Sequence, residues 1–325
     1  MPVLPVPPTH PAHNRHMKQI KLPQTDLHAS NVVLGLLRID SLGEGEVGEL
    51  VDEARAAGIN MFDFSDIYGA ERHDSEARFG AAVQFSSSER EKVIIQSKSG
   101  IRDGFYDFSA EHLTESVKES LSALQTDYLD LFLLHRPDTL AEPEEVAEAF
   151  DSLHDAGMVR HFGVSNHMPG QIELLKRTVR QPLVVNQMQL SIVHAPMIAQ
   201  GLAANIAGDE QSADRDNDLL NYARLNDLTL QAWSPFQGHE DGAVFLGDRD
   251  NYAELNDVID ELADKHGVTP QALPVAWITR HPAQMQVIIG TTKPQRVRES
   301  AAGSQLDLSR QDWYRLFAAA GHQVP

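Results

Sequence analysis

Eight short apolar runs rich in β-branched residues recur along this chain, and between most of them lies a segment of helical period. Few architectures accept that alternation. The runs are "VVLGLL" (32–37), "INMFDF" (59–64), "VIIQSK" (93–98), "YLDLFLLH" (128–135), "HFGVSN" (161–166), "LVVNQMQ" (183–189), "LTLQAWS" (228–234) and "MQVIIGT" (285–291). Helical patterns separate them: in "SAEHLTESVKESLSAL", Ser109 opens the segment, and Leu113, Val117, Leu121 and Leu124 share one face. "EVGELVDEARAAG" and "EPEEVAEAFDSLHDAG" behave likewise and end on Gly, as a helix C-terminus should. Strands alternating with helices imply right-handed βαβ units and a parallel sheet. Eight units in about 300 residues predict an α/β fold closed into a (β/α)8 TIM barrel. A doubly wound open sheet is the competing fold, but the first run leads into "RIDSLGEGE" rather than a GxGxxG turn. Three late segments, "YAELNDVIDELADKHG", "TPQALPVAWITRHP" and "SRQDWYRLFAAAG", exceed what eight units need and predict extra helices outside the barrel. The opening "MPVLPVPPTHPAHNRH" has five prolines in sixteen residues and no period, so residues 1–16 are expected to be a disordered tail and 17–325 a single domain.

Charge and composition narrow the function. A formal net charge of −20 argues against nonspecific binding to a phosphate backbone, so no nucleic-acid partner is expected and an anionic ligand needs a local basic site. No stretch reaches about 18 consecutive apolar residues, so no membrane span is expected. The absence of cysteine excludes thiolate catalysis and disulfides and suits a reducing, cytoplasmic setting. Fifteen histidines, His161 and His167 among them, invite a metal site, but no helical H-x-x-x-H spacing with a carboxylate appears, and none is expected.

In such a barrel the chemistry sits at the C-terminal mouths of the strands. The run "INMFDF" contains Asp63 near its end, and burying an unpaired carboxylate costs several kcal/mol. Lys98, ending "KVIIQSK", is the natural cation to answer it. Tyr68 follows at the same mouth, where an ammonium is expected to lower the phenol's pKa and make it a general acid. His135 ends "LDLFLLH", placed to hydrogen-bond a carbonyl oxygen at that mouth. Asp66 is expected at the surface or capping a turn. The 191–218 segment reads equally as a lid or part of a substrate pocket and as surface decoration. In "GTTKPQRVRES", Gly290 to Ser300, the chain leaves the last strand for a helix carrying Lys293, Arg296 and Arg298, which favours an anion.

The ordered motifs "FDFSDIYG", "IIQSKSG", "YLDLFLLHRPD", "FGVSN", "VVNQMQLS", "WSP" and "IIGTTKPQRVRES" resemble the aldo-keto reductase superfamily, and the chain's ending is most similar to its bacterial YdhF-like oxidoreductase branch. The resemblance covers about Lys18 to the C-terminus. It implies a catalytic tetrad of Asp63, Tyr68, Lys98 and His135, with Tyr68 the proton donor. It implies nicotinamide contacts at Ser165, Asn166 and Gln187, a stacking ring at Trp233, and further cofactor contacts at Ser234, Pro235, Gly290, Thr291, Thr292 and Lys293. Arg296 matches the position that meets a ribose 2′-phosphate, and Glu299 an adenine contact. Ser300 stands where relatives commonly carry Asn, and Leu36 and Leu37 where many carry an aromatic substrate wall, a role that Phe105, Tyr106 or Phe236 could fill. The expected function is NADP(H)-dependent reduction of a small aldehyde or ketone to an alcohol. The alternative is a nucleotide-binding regulatory or sensor subunit with little turnover.

Overall fold

The structure is a computed structural model describing residues 17–206, 208–240 and 242–324; the expected tail at 1–16 lies outside the described residues. Each of the eight apolar runs forms a strand: β1 (Val32–Gly35), β2 (Met61–Asp63), β3 (Ile94–Ser99), β4 (Leu129–Leu134), β5 (Val159–Ser165), β6 (Leu183–Gln189), β7 (Thr229–Trp233) and β8 (Gln286–Ile289). Neighbours pair in parallel in sequence order, and β8 pairs β1 through Val287 and Val32, closing the barrel. Closure removes the open-sheet alternative.

The helices form where the period predicts them. Ala110–Leu124 starts at Ser109, whose hydroxyl accepts from the His112 N–H at 3.3 Å, and its apolar stripe of Leu113, Val117 and Leu124 is buried against the barrel. Ala253–His266 stops at Gly267 in the left-handed region (φ 64°). It packs on Arg310–Ala319 outside the barrel, pinned by Lys265–Asp312 at 2.7 Å and Arg315–Glu261 at 2.6 Å. No helix among the described residues is long and apolar enough to cross a membrane.

A hairpin of Gln19–Lys21 and His28–Ser30 plugs the bottom of the barrel, where Leu22, Leu27 and Ala29 join Val33, Met61, Ile94, Leu131 and Val185 in a second apolar cluster. Above that floor the interior turns polar. Gln96, Gln187, Gln231 and Gln286 come from four strands, all buried, and bond one another in a chain: Gln96 to Gln231 at 2.9 Å, Gln187 to Gln231 at 3.1 Å, and Gln231 to Gln286 at 2.9 Å. Gln286 continues the chain downward to the Ser30 carbonyl at 2.8 Å. A buried amide is tolerable only when satisfied, so the four hold each other at one height beneath the strand mouths.

Candidate active site

The strand mouths open into a cavity of about 470 Å³. β2 ends at Asp63, which pairs in register with Gly35 of β1 and Gln96 of β3. Glycine is required at 35, because a Cβ there would lie 2.7 Å from the Ile288 side chain and close the approach of β8 to β1. Lys98, fully buried, donates to both Asp63 oxygens at 2.7 and 2.8 Å and to the Phe64 carbonyl at 2.7 Å. Asp63 also accepts from Gln96 at 2.6 Å and Gln187 at 3.0 Å. Lys98 therefore answers the Asp63 carboxylate as expected, and two amides join it.

Tyr68 lies just beyond on the cavity wall, half-buried as a residue but with its hydroxyl enclosed by protein atoms, and with the Lys98 ammonium 4.9 Å from its ring centroid. Burial pushes its hydroxyl above the usual phenol range, and the pull of Lys98 offsets only part of that. This corrects the expectation of a lowered pKa: desolvation outweighs the ammonium, and Tyr68 stands as a neutral phenol at physiological pH. Burial alone would push Lys98 down, but Asp63 and Tyr68 outweigh it and hold the ammonium above its ordinary value.

His135 faces Tyr68 edge-on at 6.0 Å between ring centroids. Burial, then the Lys98 and Arg136 charges, hold its pKa well below the usual histidine range, so the imidazole is neutral. Its Nδ1 lies 2.9 Å from the Ser65 hydroxyl.

Across the cavity, Asn166 and Ser234 leave β5 and β7 in the left-handed region (φ 60° and 52°), a conformation Asn tolerates better than Ser. The turn at Asn166 brings its side-chain oxygen to the Trp233 Nε1–H at 3.1 Å, fixing the indole at the cavity edge. Ser165 hydroxyl donates to the Gln187 carbonyl at 3.0 Å and accepts from Asn166 at 2.8 Å. Pro235, Gly290, Thr291, Thr292, Lys293 and Arg296 continue the lining toward the helix Pro294–Ala301.

Of the expected site residues, all but two line the cavity. Lys98 lies beneath the wall as the partner of Asp63. Glu299 is not brought in: its carboxylate accepts from Gln295 at 2.8 Å, one turn back on the same helix. Arg298 pairs instead with Glu53 at 2.6 Å, so Lys293 and Arg296 are the cations that this stretch gives to the lining.

Other expectations need correction. Asp66 is fully buried, not at the surface: it pairs with Arg72 at 2.8 Å, and burial raises its pKa to about 6. No described residue of the 191–218 segment lines the cavity; the loop after β7 does, through Phe236, Gln237, Gly242, Ala243, Val244 and Leu246. Phe105 and Tyr106 sit in an exposed hairpin away from the lining, and of the three aromatic candidates Phe236 alone lines the cavity. His161 meets Asp26 at 3.2 Å and His167 the Ser165 carbonyl at 2.8 Å.

Sequence reasoning missed Arg38, whose guanidinium reaches the Gly290 carbonyl at 3.3 Å on the cavity rim, and Gln271, which comes from outside the βα turns. A single polar residue in a loop carries no spacing signal.

Comparison with known proteins agrees with this geometry. The family model described as "Aldo/keto reductase family" matches residues 31–320. Oxidoreductase YdhF of Escherichia coli is 34% identical over 91% of this chain and 95% of its own length. The 6-dehydroglucose reductase of Agrobacterium fabrum is 31% identical over 90% and 95%. The crystal structure of the thermostable aldo-keto reductase Tm1743 superposes with a TM-score of 0.74 at 24% identity, covering 93% of this chain and all of that one, a likeness of fold. A closed barrel with its polar cluster at the strand mouths, matched by the family model over nearly the whole chain, makes this protein an oxidoreductase of the aldo/keto reductase family.

Proposed function

We propose that the protein reduces an aldehyde or ketone to an alcohol at the expense of NADPH, with Tyr68 as the proton donor. The observation that carries this reading is the convergence of Tyr68, Asp63 and His135, over Lys98, on one wall of a groove whose far wall offers the cations Lys293 and Arg296. Two features of the groove fit a nicotinamide dinucleotide. Asp63 and the Gln231 Oε1 take the Gln187 Nε2–H groups, which leaves Gln187 Oε1 to accept from a carboxamide. Ser300 is buried with a hydroxyl that has no partner, at the Arg296 end of the lining. Lys293 and Arg296 suit a ribose phosphate, and Trp233 offers a ring face.

The bound nicotinamide supplies the hydride. The chain's own residues do the rest. His135 orients the carbonyl oxygen by a hydrogen bond from its ring. Tyr68, neutral because it is buried, has a proton to give to that oxygen. As the phenolate develops, the Lys98 ammonium faces it, and Asp63 keeps Lys98 charged and in place.

Tyr68→Phe should bind NADPH as the wild type does and reduce carbonyls at least about a hundredfold more slowly in single-turnover hydride transfer. Wild-type rates in that variant would remove Tyr68 from the mechanism. A regulatory subunit would bind NADPH and turn over none of a panel of aldehydes and ketones. The likeness to a 6-dehydroglucose reductase puts sugar aldehydes first on that panel.

A further inference from the structure

We infer that Arg136 is a specificity-determining residue and that the substrate is an aldehyde or ketone carrying an anionic group, a carboxylate above all, which the Arg136 guanidinium receives beside the reacting carbonyl. The inference deepens the proposed carbonyl reduction and rests on it for its purpose. Of the charged residues lining the cavity, Arg38, Arg136, Lys293 and Arg296 are cations, and the single acid among the described ones is Asp63, which Lys98 already answers. So much unbalanced positive charge in a chain of net charge −20 marks a groove suited to anions.

These cations divide by their place in the barrel. Its strands follow one another in sequence order, so β4 and β8 stand on opposite sides of the mouth. Lys293 and Arg296 follow β8, and Arg38 joins them by donating to the Gly290 carbonyl at 3.3 Å. That side suits the phosphates of a dinucleotide. Arg136 follows β4, immediately after His135, and both line the cavity. Its charge is felt at the imidazole, where it adds to burial and Lys98 in holding the histidine below its usual range. Among the described residues Arg136 makes no hydrogen bond or ion pair. The nearest acid along the chain, Asp138, is taken by the Leu140 N–H at 2.8 Å and the Phe108 N–H at 3.2 Å. A guanidinium left free beside the residue that orients the carbonyl is placed to meet the rest of the substrate. Consecutive Cα atoms lie about 3.8 Å apart, so a group held by Arg136 belongs to the same small molecule as the carbonyl that His135 meets. The planar fork of the guanidinium matches a carboxylate through two parallel hydrogen bonds.

The test uses the full chain and two aldehydes of nearly the same size and shape, para-carboxybenzaldehyde and the uncharged para-formylbenzamide. With NADPH, kcat/KM should favour the carboxylate by about tenfold, the low end of what a charge-assisted pair supplies. Arg136→Gln should erase that preference, chiefly through a higher KM for the carboxylate. Arg136→Lys, which keeps the charge and loses the fork, should retain part of it. Added salt should shrink the wild-type preference. Binding of both aldehydes to the NADP+ complex, which has no hydride to give, reads the same preference without turnover. NADPH affinity should hold in Arg136→Gln, because the cofactor's phosphates belong to the β8 side. Equal binding of the two aldehydes to the wild-type complex at low salt, or a preference that survives in Arg136→Gln, would overturn the inference. So would a loss of NADPH affinity of about tenfold in that variant, which would give the guanidinium to the cofactor. A carboxylate preference in binding with neither aldehyde reduced would remove carbonyl reduction and leave the anion site standing.

Discussion

Replacing Lys98 by Met tests whether the core of the site is maintained against stability. The substitution conserves much of the side-chain volume but leaves Asp63 buried without its cation, and breaking a buried pair from one side costs about 3 to 5 kcal/mol. Two amides remain on Asp63, Gln96 at 2.6 Å and Gln187 at 3.0 Å, so the cost should fall near the lower end, about 3 kcal/mol. Asp63→Asn takes away the counter-charge instead, leaving the ammonium one amide oxygen and the Phe64 carbonyl at 2.7 Å as acceptors, and should cost a similar amount. The double variant removes both charges. What it still lacks is a donor for that carbonyl, and a buried unsatisfied acceptor costs about 1 to 3 kcal/mol. Asp63→Asn/Lys98→Met should therefore be more stable than either single variant, by about 1 to 2 kcal/mol, though inactive. Urea unfolding of the four proteins, with m-values compared to secure a common unfolded state, reads this directly. Additive losses in the double variant would mean that the two residues do not share one desolvation penalty, and the reading of Lys98 as the answer to Asp63 would fall.

The two remaining predictions concern charge. With Lys293 and Arg296 lining the far wall and Arg298 tied to Glu53 at 2.6 Å, Arg296→Ala should erase most of an NADPH preference of about a hundredfold, since charge-assisted phosphate contacts are worth about 1.5 to 3 kcal/mol each. NADH affinity should hardly change, and equal wild-type affinities for the two cofactors at low salt would sink the assignment. Asp66 has its pKa raised from 3.8 to about 6, first by burial, with Arg72 pulling the other way. Between those values the folded chain keeps a proton that the unfolded chain has released, so its contribution is complete below about pH 4 and is lost as pH rises through about 6. About two pH units correspond to about 3 kcal/mol, so the stability difference between wild type and Asp66→Asn should fall by that amount from pH 4 to pH 7.5. A flat difference in urea unfolding would show that burial does not govern Asp66.

The residues that could be read in advance share a property: their chemistry is unusual for their position along the strand. A carboxylate near the end of "INMFDF" and a lysine ending "VIIQSK" stand out against apolar neighbours, and each needs the other, so the pair follows before any coordinates. The barrel follows from the same contrast, because β-branched runs alternate with helical stripes. What stayed hidden depends on how a limited number of donors is shared. Gln96, Gln231 and Gln286 read as polar interruptions of strands, and only closure of the barrel shows them bonded across its interior. Arg72 lies six residues beyond Asp66, a spacing with no helical or strand meaning, yet the turn after β2 folds them to 2.8 Å and buries the carboxylate. Glu299 matches its expected position in sequence, but Gln295 at i−4 on the helix takes it, a local pairing that competes with any ligand. Tyr68 shows the limit most plainly. The ammonium beside it was legible and the depth of its burial was not, and burial is the larger effect, so the sign of its pKa shift could only come from packing. For the reduction proposed above, a phenol held neutral would have its proton in place before the carbonyl arrives, and the same lysine that fails to ionise it at rest would face the charge that proton transfer leaves behind.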